Sequence, residues 1–175
     1  DATHRKLTVQ MGYMFRYHPG FQFCFRAARE NWLGEIFSID AGMGKVVDAA
    51  TRQAPQKYRG GAMFELGCHV LDAVVNLMGR PQAVVAHNRS SAPAGDRFAD
   101  NQLAVLEYPQ ATVTVRSSII EIAGEARRQF VVCGDRGTLD IRPLEPPRVR
   151  LALAEPRGEF RRGFQDLAMP GYRRY

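Results

Sequence analysis

Apolar positions change their period along the chain, and the changes mark its elements. Residues 6 to 15 mix apolar and polar positions with β-formers and aromatics, which predicts a first strand ended by His18-Pro19-Gly20. Phe21, Phe25, Ala28 and Trp32 then recur at helical spacing, with Gly34 as the stop. A strand over about 35 to 42 follows. The stretch from Gly42 to Gly61 contains Gly42, Gly44, Pro55, Gly60 and Gly61 with little periodicity, the composition of a long loop. A helix from about Ala62 to Met78 ends at Gly79 and Pro81.

From residue 82 the character changes. Gln82 to Arg89, Asn101 to Tyr108, Ala111 to Ile122, Arg128 to Cys133, Gly137 to Arg142 and Arg148 to Ala154 are short β-rich runs separated by turn residues, a β-meander. Strand and helix followed by consecutive strands predict an α+β domain, a mainly antiparallel, open-faced sheet with helices packed on one face. The alternation Ala111-Thr112-Val113-Thr114-Val115-Arg116 suits such a sheet. Its other face is then available for oligomerisation. The domain is expected over residues 1–155, with 156–175, rich in Arg, Gly and Pro, as an extended C-terminal arm. No internal repeat or low-complexity tract is present.

Composition narrows the class. The 175 residues are 45% hydrophobic and 24% charged, enough to build a core without disulfides or metals. Cys24, Cys68 and Cys133 are an odd number without paired spacing or a neighbouring histidine cluster, so neither a disulfide framework nor a metal site is expected. A reducing, cytoplasmic compartment is the corresponding expectation. No apolar run has the length of a membrane span, and the N-terminus lacks the zones of a signal peptide. The chain opens at Asp1 and enters the strand-like Leu7-Thr8-Val9-Gln10-Met11 almost at once, as a fragment of a longer polypeptide would.

The net charge of +6 suits an acidic partner, but its distribution does not. Apart from Arg127-Arg128, Arg161-Arg162 and Arg173-Arg174 the cations are scattered. Arg162-Gly163-Phe164 opens like an RNA-recognition motif, and Gln165-Asp166-Leu167 breaks the pattern. Nucleic-acid binding is therefore not expected. Gly42-Met43-Gly44-Lys45 approaches a P-loop, but Ile39 stands where the first glycine belongs and Val46 replaces the magnesium-binding hydroxyl. No GxGxxG follows a strand either, so no cofactor-binding residue is assigned in this chain.

The helix from Ala62 to Met78 carries the candidate chemistry. At about 100° per residue, Glu65, His69, Asp72 and Asn76 fall within about 60° of arc, opposite Met63, Leu66, Val70, Leu71, Val74 and Leu77. Such a stripe is either a solvated face or a working one. The spacing lets the Glu65 carboxylate hydrogen-bond one imidazole nitrogen of His69 and leaves the other for a substrate, with His69 as general base. Cys68 points about 100° away and reads as a small core residue. His4, His18 and His87 have no partner evident in the sequence and read as structural or surface groups.

These residues meet a family pattern. Gly12-Tyr13-Met14-Phe15-Arg16-Tyr17-His18-Pro19 resembles a "G-x-x-x-R-[FY]-x-P" strand, and Gly60-Gly61 through Glu65-Leu66-Gly67-Cys68-His69 to Asp72 resembles a "GG-x-x-x-D-x-G-x-H-x-x-D" helix. Both are motifs of the glucose–fructose oxidoreductase / inositol dehydrogenase / rhizopine-catabolism (Gfo/Idh/MocA) oxidoreductases. Gly134-Asp135-Arg136-Gly137-Thr138-Leu139 resembles that family's later "G-x-x-G-[TS]-[LI]" turn. The motifs occur in family order over nearly the whole chain.

The resemblance implies the C-terminal, substrate-binding half of an NAD(P)-dependent dehydrogenase, whose Rossmann domain, absent here, holds NAD or NADP and supplies an "EKP" lysine. It implies His69 as acid/base, with Glu65 in place of the family aspartate. Arg16 is then a substrate-binding candidate or a surface ion-pair arginine, and Asp72 a hydrogen-bond partner or a solvated acid. Tyr58 and Arg59 are candidates through their position before the glycine pair. The expected partners are a small sugar or polyol and further copies of the chain, and the fragment alone is expected to be inactive. A non-catalytic binding or assembly module on the same fold is the alternative.

Overall fold

The β-rich runs pair into one sheet. The computed structural model describes residues 1–53, 59–91 and 98–173. Its strands are β1 (Ile36–Gly44), β2 (Ala83–Arg89), β3 (Asn101–Glu107), β4 (Thr112–Ser118), β5 (Gln129–Gly134), β6 (Gly137–Ile141), β7 (Val149–Leu153) and β8 (Gly163–Leu167). They lie in the order β2-β3-β4-β1-β5-β6-β7-β8. Every neighbouring pair is antiparallel except β1 and β4. The sheet is thus the mainly antiparallel one expected, but the meander is split, because β1 inserts between β4 and β5. Burial explains the insertion. Ile39, Ala41 and Met43 are at most 3% exposed, so β1 sits centrally, with both backbone edges paired.

One face carries Val113, Val115, Phe130, Val132, Leu139, Ile141 and Leu151, all buried. Helices α1 (Pro19–Arg29) and α3 (Cys68–Met78) add Phe21, Cys24, Phe25, Val70, Ala73 and Val74 to the same core. The opposite face presents Asp40, Thr112 and Arg116 to solvent, and Thr114 donates to Asp40 there (2.6 Å). The short α2 (Ala49–Gln53) interrupts the expected loop, its first turn capped by the Asp48 carboxylate accepting from the Thr51 N–H (2.7 Å).

Three further expectations are corrected. No strand forms over residues 6–15. Leu7, Val9 and Met11 are 61 to 72% exposed, and their backbone has no sheet partner among the described residues. A β-pattern without a neighbouring edge leaves its ladder groups to water. The chain instead turns through a 3-10 segment, Met14–Tyr17, that buries Phe15. The run ending at Ile122 stops pairing as β4 at Ser118, and Ile122 is exposed. Finally, part of the expected arm is β8, which extends the sheet beside β7. Among the described residues no helix is long and apolar enough to cross a membrane.

Candidate active site

The predicted helix from Ala62 to Met78 is present, but its first part is wound differently. A π-helical turn, Met63–Gly67, leads into α3. Gly60 and Gly61 enter it at positive φ (109° and 60°), and a Cβ on Gly61 would lie 2.4 Å from the Ala99 carbonyl, so a glycine is required there. The π turn is pinned from two sides. Gln102 Oε1 accepts from the Met63 N–H (2.6 Å), and the Ser117 hydroxyl donates to the Ala62 carbonyl (2.8 Å). Single π turns within α-helices recur at functional sites, because the inserted residue re-aims the side chains around it.

Around this turn the structure gathers ionisable groups from distant parts of the chain. Lys45, just beyond β1, donates to Glu65 Oε1 (2.7 Å). Arg16, in the 3-10 segment, grips Asp72 of α3 with two bonds, Nε to Oδ2 (2.8 Å) and Nη2 to Oδ1 (2.6 Å). That fork geometry tightens the guanidinium's hold on its proton, the Asp72 hydrogen bond contributing most. Arg128 donates to Glu145 (2.7 Å) and to the Gly44 carbonyl (3.0 Å).

His69 sits among these pairs, partly buried, with its ring edge-to-face with Tyr13 (6.2 Å) and Phe15 (6.0 Å). Burial lowers its pKa, the Glu65 charge opposes that, and Arg128 adds to the lowering. The imidazole is therefore neutral at neutral pH and able to accept a proton.

The expected Glu65–His69 hydrogen bond is not made. His69 Nδ1 and Glu65 Oε2 are both buried without a partner. Lys45 takes the other Glu65 oxygen instead. The structure thus brings His69, Glu65, Asp72 and Arg16 together and makes Arg16 an ion-pair arginine. Arg59 is exposed at the turn before the glycine pair, and Tyr58 lies outside the described residues. Cys68 is partly buried and stands outside the hydrophobic core cluster, contrary to the expectation of a core residue, with its thiol pKa raised mainly by burial. No group of three or more His, Cys, Asp or Glu stands together as metal ligands among the described residues.

Sequence reasoning missed Lys45, Arg128 and Glu145. Lys45 left one signal: it is one of only three lysines, placed directly after a predicted strand and a glycine. Arg128 and Glu145 had none, since nothing in linear order relates them to residue 69. A hollow of about 420 Å³ opens elsewhere, lined by Gly42, Gly44, Arg116, Glu121, Arg127 and Arg142 among others. Neither His69 nor Glu65 borders it.

Similarity to known proteins follows the fold. A levoglucosan dehydrogenase solved with NADH and L-sorbose superposes with a TM-score of 0.79 at 18% identity, covering 92% of this chain and 47% of its own. The WlbA dehydrogenase from Bordetella pertussis, solved with NADH and UDP-GlcNAcA, gives 0.74 at 15% identity, covering 90% and 47%. A putative oxidoreductase, yvaA, from Bacillus subtilis gives 0.68 at 16% identity, covering 97% and 52%. The chain spans about half the length of these structures. No curated protein matches it in sequence. The family model described as GFO/IDH/MocA C-terminal domain matches residues 21–140, a span that holds most of α1, the π turn with Glu65, His69, and the sheet into β6. The helix motif read in the sequence and the sheet it packs against therefore have one origin: the chain belongs to the GFO/IDH/MocA C-terminal domain family.

Proposed function

We propose that the chain is the substrate-binding and oligomerisation domain of an NAD(P)-dependent oxidoreductase acting on a sugar, polyol or related hydroxy compound, with His69 as its acid/base. The observation that carries this reading is the placement of His69, a partly buried imidazole with an unpartnered Nδ1, one helical turn from Glu65 where the π turn leads into α3. The solved neighbours, bound to NADH and sugars, support the substrate and cofactor class.

A nicotinamide, when bound, supplies the hydride acceptor or donor. The residues here do not fit its phosphates. The nearest glycine-lysine stretch faces the Glu121 carboxylate, which a Cβ on Gly44 would approach to 2.6 Å, and Lys45 is engaged by Glu65. The dinucleotide is accordingly assigned to a domain outside this chain, and the 175-residue chain alone turns nothing over. His69 would accept the substrate hydroxyl proton in oxidation and return it in reduction. The Glu65 charge steadies the imidazolium so formed. Asp72 holds Arg16 by one edge, leaving the exposed rest of the guanidinium for substrate oxygens. Arg59, exposed before the glycine pair, is a further candidate for substrate contact. The sheet's uncovered face, with Val85 and Phe164 exposed on it, joins copies of the chain.

The test is the protein encoded by the full reading frame, assayed with both nicotinamides against sugars and polyols beside His69→Ala. The expected result is turnover lost in the variant. Undiminished turnover in His69→Ala would overturn the assignment, and no turnover in either protein would favour the non-catalytic module.

A further inference from the structure

Two complementary atoms lie one helical turn apart without partners: Glu65 Oε2, which only accepts while ionised, and His69 Nδ1, which donates in one neutral tautomer. Resting on the reading of His69 as acid/base, we propose that Lys45 is a positioning residue of the site, gripping Glu65 by one oxygen and so setting how much of that carboxylate's charge reaches the imidazole.

The ammonium comes from a fixed place. The Lys45 N–H donates to the Ser118 carbonyl (3.0 Å), and the Lys45 carbonyl accepts from the Glu121 N–H (3.0 Å). The preceding Gly44 has no room for a side chain, with Gly124 Cα 3.1 Å from a would-be Cβ. The pair itself is largely withdrawn from water, the side chains of Lys45 and Glu65 being 23% and 31% exposed. The neighbouring cations are committed elsewhere, Arg16 to Asp72 and Arg128 to Glu145. These pairs, on the 3-10 segment and α3, and on the segments before β5 and β7, are the other charges that act on His69 or lie beside it. Lys45 thus neutralises Glu65 without itself touching the ring. The terminal torsion of a glutamate is broad and two-fold. A modest turn about that torsion, which moves both oxygens with the flexible Lys45 ammonium following Oε1, would bring Oε2 toward Nδ1–H and lock the tautomer that presents a free Nε2 to the hydroxyl.

The experiment is a proton NMR titration of the His69 Cε1–H in the full chain, needing neither substrate nor nicotinamide. Replacing Lys45 by methionine removes the counter-charge, so the His69 midpoint should rise by about one unit, a tenfold gain in proton affinity. Lys45→Arg should restore the wild-type midpoint. In a Glu65→Gln background Lys45→Met should move nothing, because the relay is gone. An unmoved midpoint in folded Lys45→Met, or an equal rise in the Glu65→Gln background, overturns the proposal. Lys45→Gln carries the same test should Lys45→Met not fold. A full-length protein that oxidises no sugar would defeat the dehydrogenase reading alone, since this titration is independent of turnover.

Discussion

Two histidines in this fold share a lowered pKa and differ in almost everything else. His18 stands at the N-terminus of α1, 1% exposed. Its Nε2 is bonded to the Leu144 carbonyl (2.9 Å), and its Nδ1 accepts from the Gly20 N–H (3.2 Å). That pair of bonds assigns the proton to Nε2 and leaves the ring nothing further to do. His69 has a buried Nδ1 without a partner. Burial is the leading cause of the lowering at both. Desolvation therefore does not distinguish one imidazole from the other. The completeness of its hydrogen bonding does, since a saturated ring stabilises one conformation and an unsaturated one retains capacity for a ligand.

Substitution should separate the two regions by what is lost. In the full-length protein His69→Ala should lower turnover by about 10² to 10⁴, which is about 3 to 5 kcal/mol of barrier. Its urea midpoint should hardly move. His18→Ala should do the reverse, costing about 2 to 4 kcal/mol of stability through a cavity beside Phe15 and Phe21 and an orphaned Leu144 carbonyl. Urea unfolding with an unchanged m-value would read that loss. Full stability in His18→Ala would break the comparison.

A smaller effect is expected where the π turn meets the sheet. A Cβ on Gly67 would come 2.5 Å from Met63 Sδ and 3.1 Å from Ser117 Cβ. Gly67→Ala should therefore cost about 1 to 3 kcal/mol, measured by thermal unfolding. The smallest effect is in pH dependence. With its pKa lower in the folded state, His18 binds fewer protons folded than unfolded, so its contribution to stability is lost as pH falls below about 6.5. The slope of stability against pH there should be shallower in His18→Gln. An identical slope would show that His18 does not titrate between the two states.

The β-rich runs located β2 to β7 to within a few residues at most ends, because side-chain alternation on a sheet is a strong constraint, and missed β8. The same logic failed at Leu7, Val9 and Met11, where the alternation is present and no neighbouring strand stands among the described residues. The polar stripe of Glu65, His69 and Asp72 was equally legible, since helical spacing survives one wide turn. The partner of Glu65 was not. Periodicity relates residues within one element, and Lys45 comes from the end of another.

What the sequence by itself determined is the local order of the protein: most of its helices and strands, the side of each that faces the core, and the set of groups on the 65–72 stripe. The tertiary structure alone decided the neighbours. It inserted β1 between β4 and β5, brought Lys45, Arg128 and Glu145 around one imidazole, and left Nδ1 without a bond. The physical reason is that local preferences act over a few residues of backbone, whereas charge pairing and desolvation act through space, between groups that only the packed chain makes adjacent.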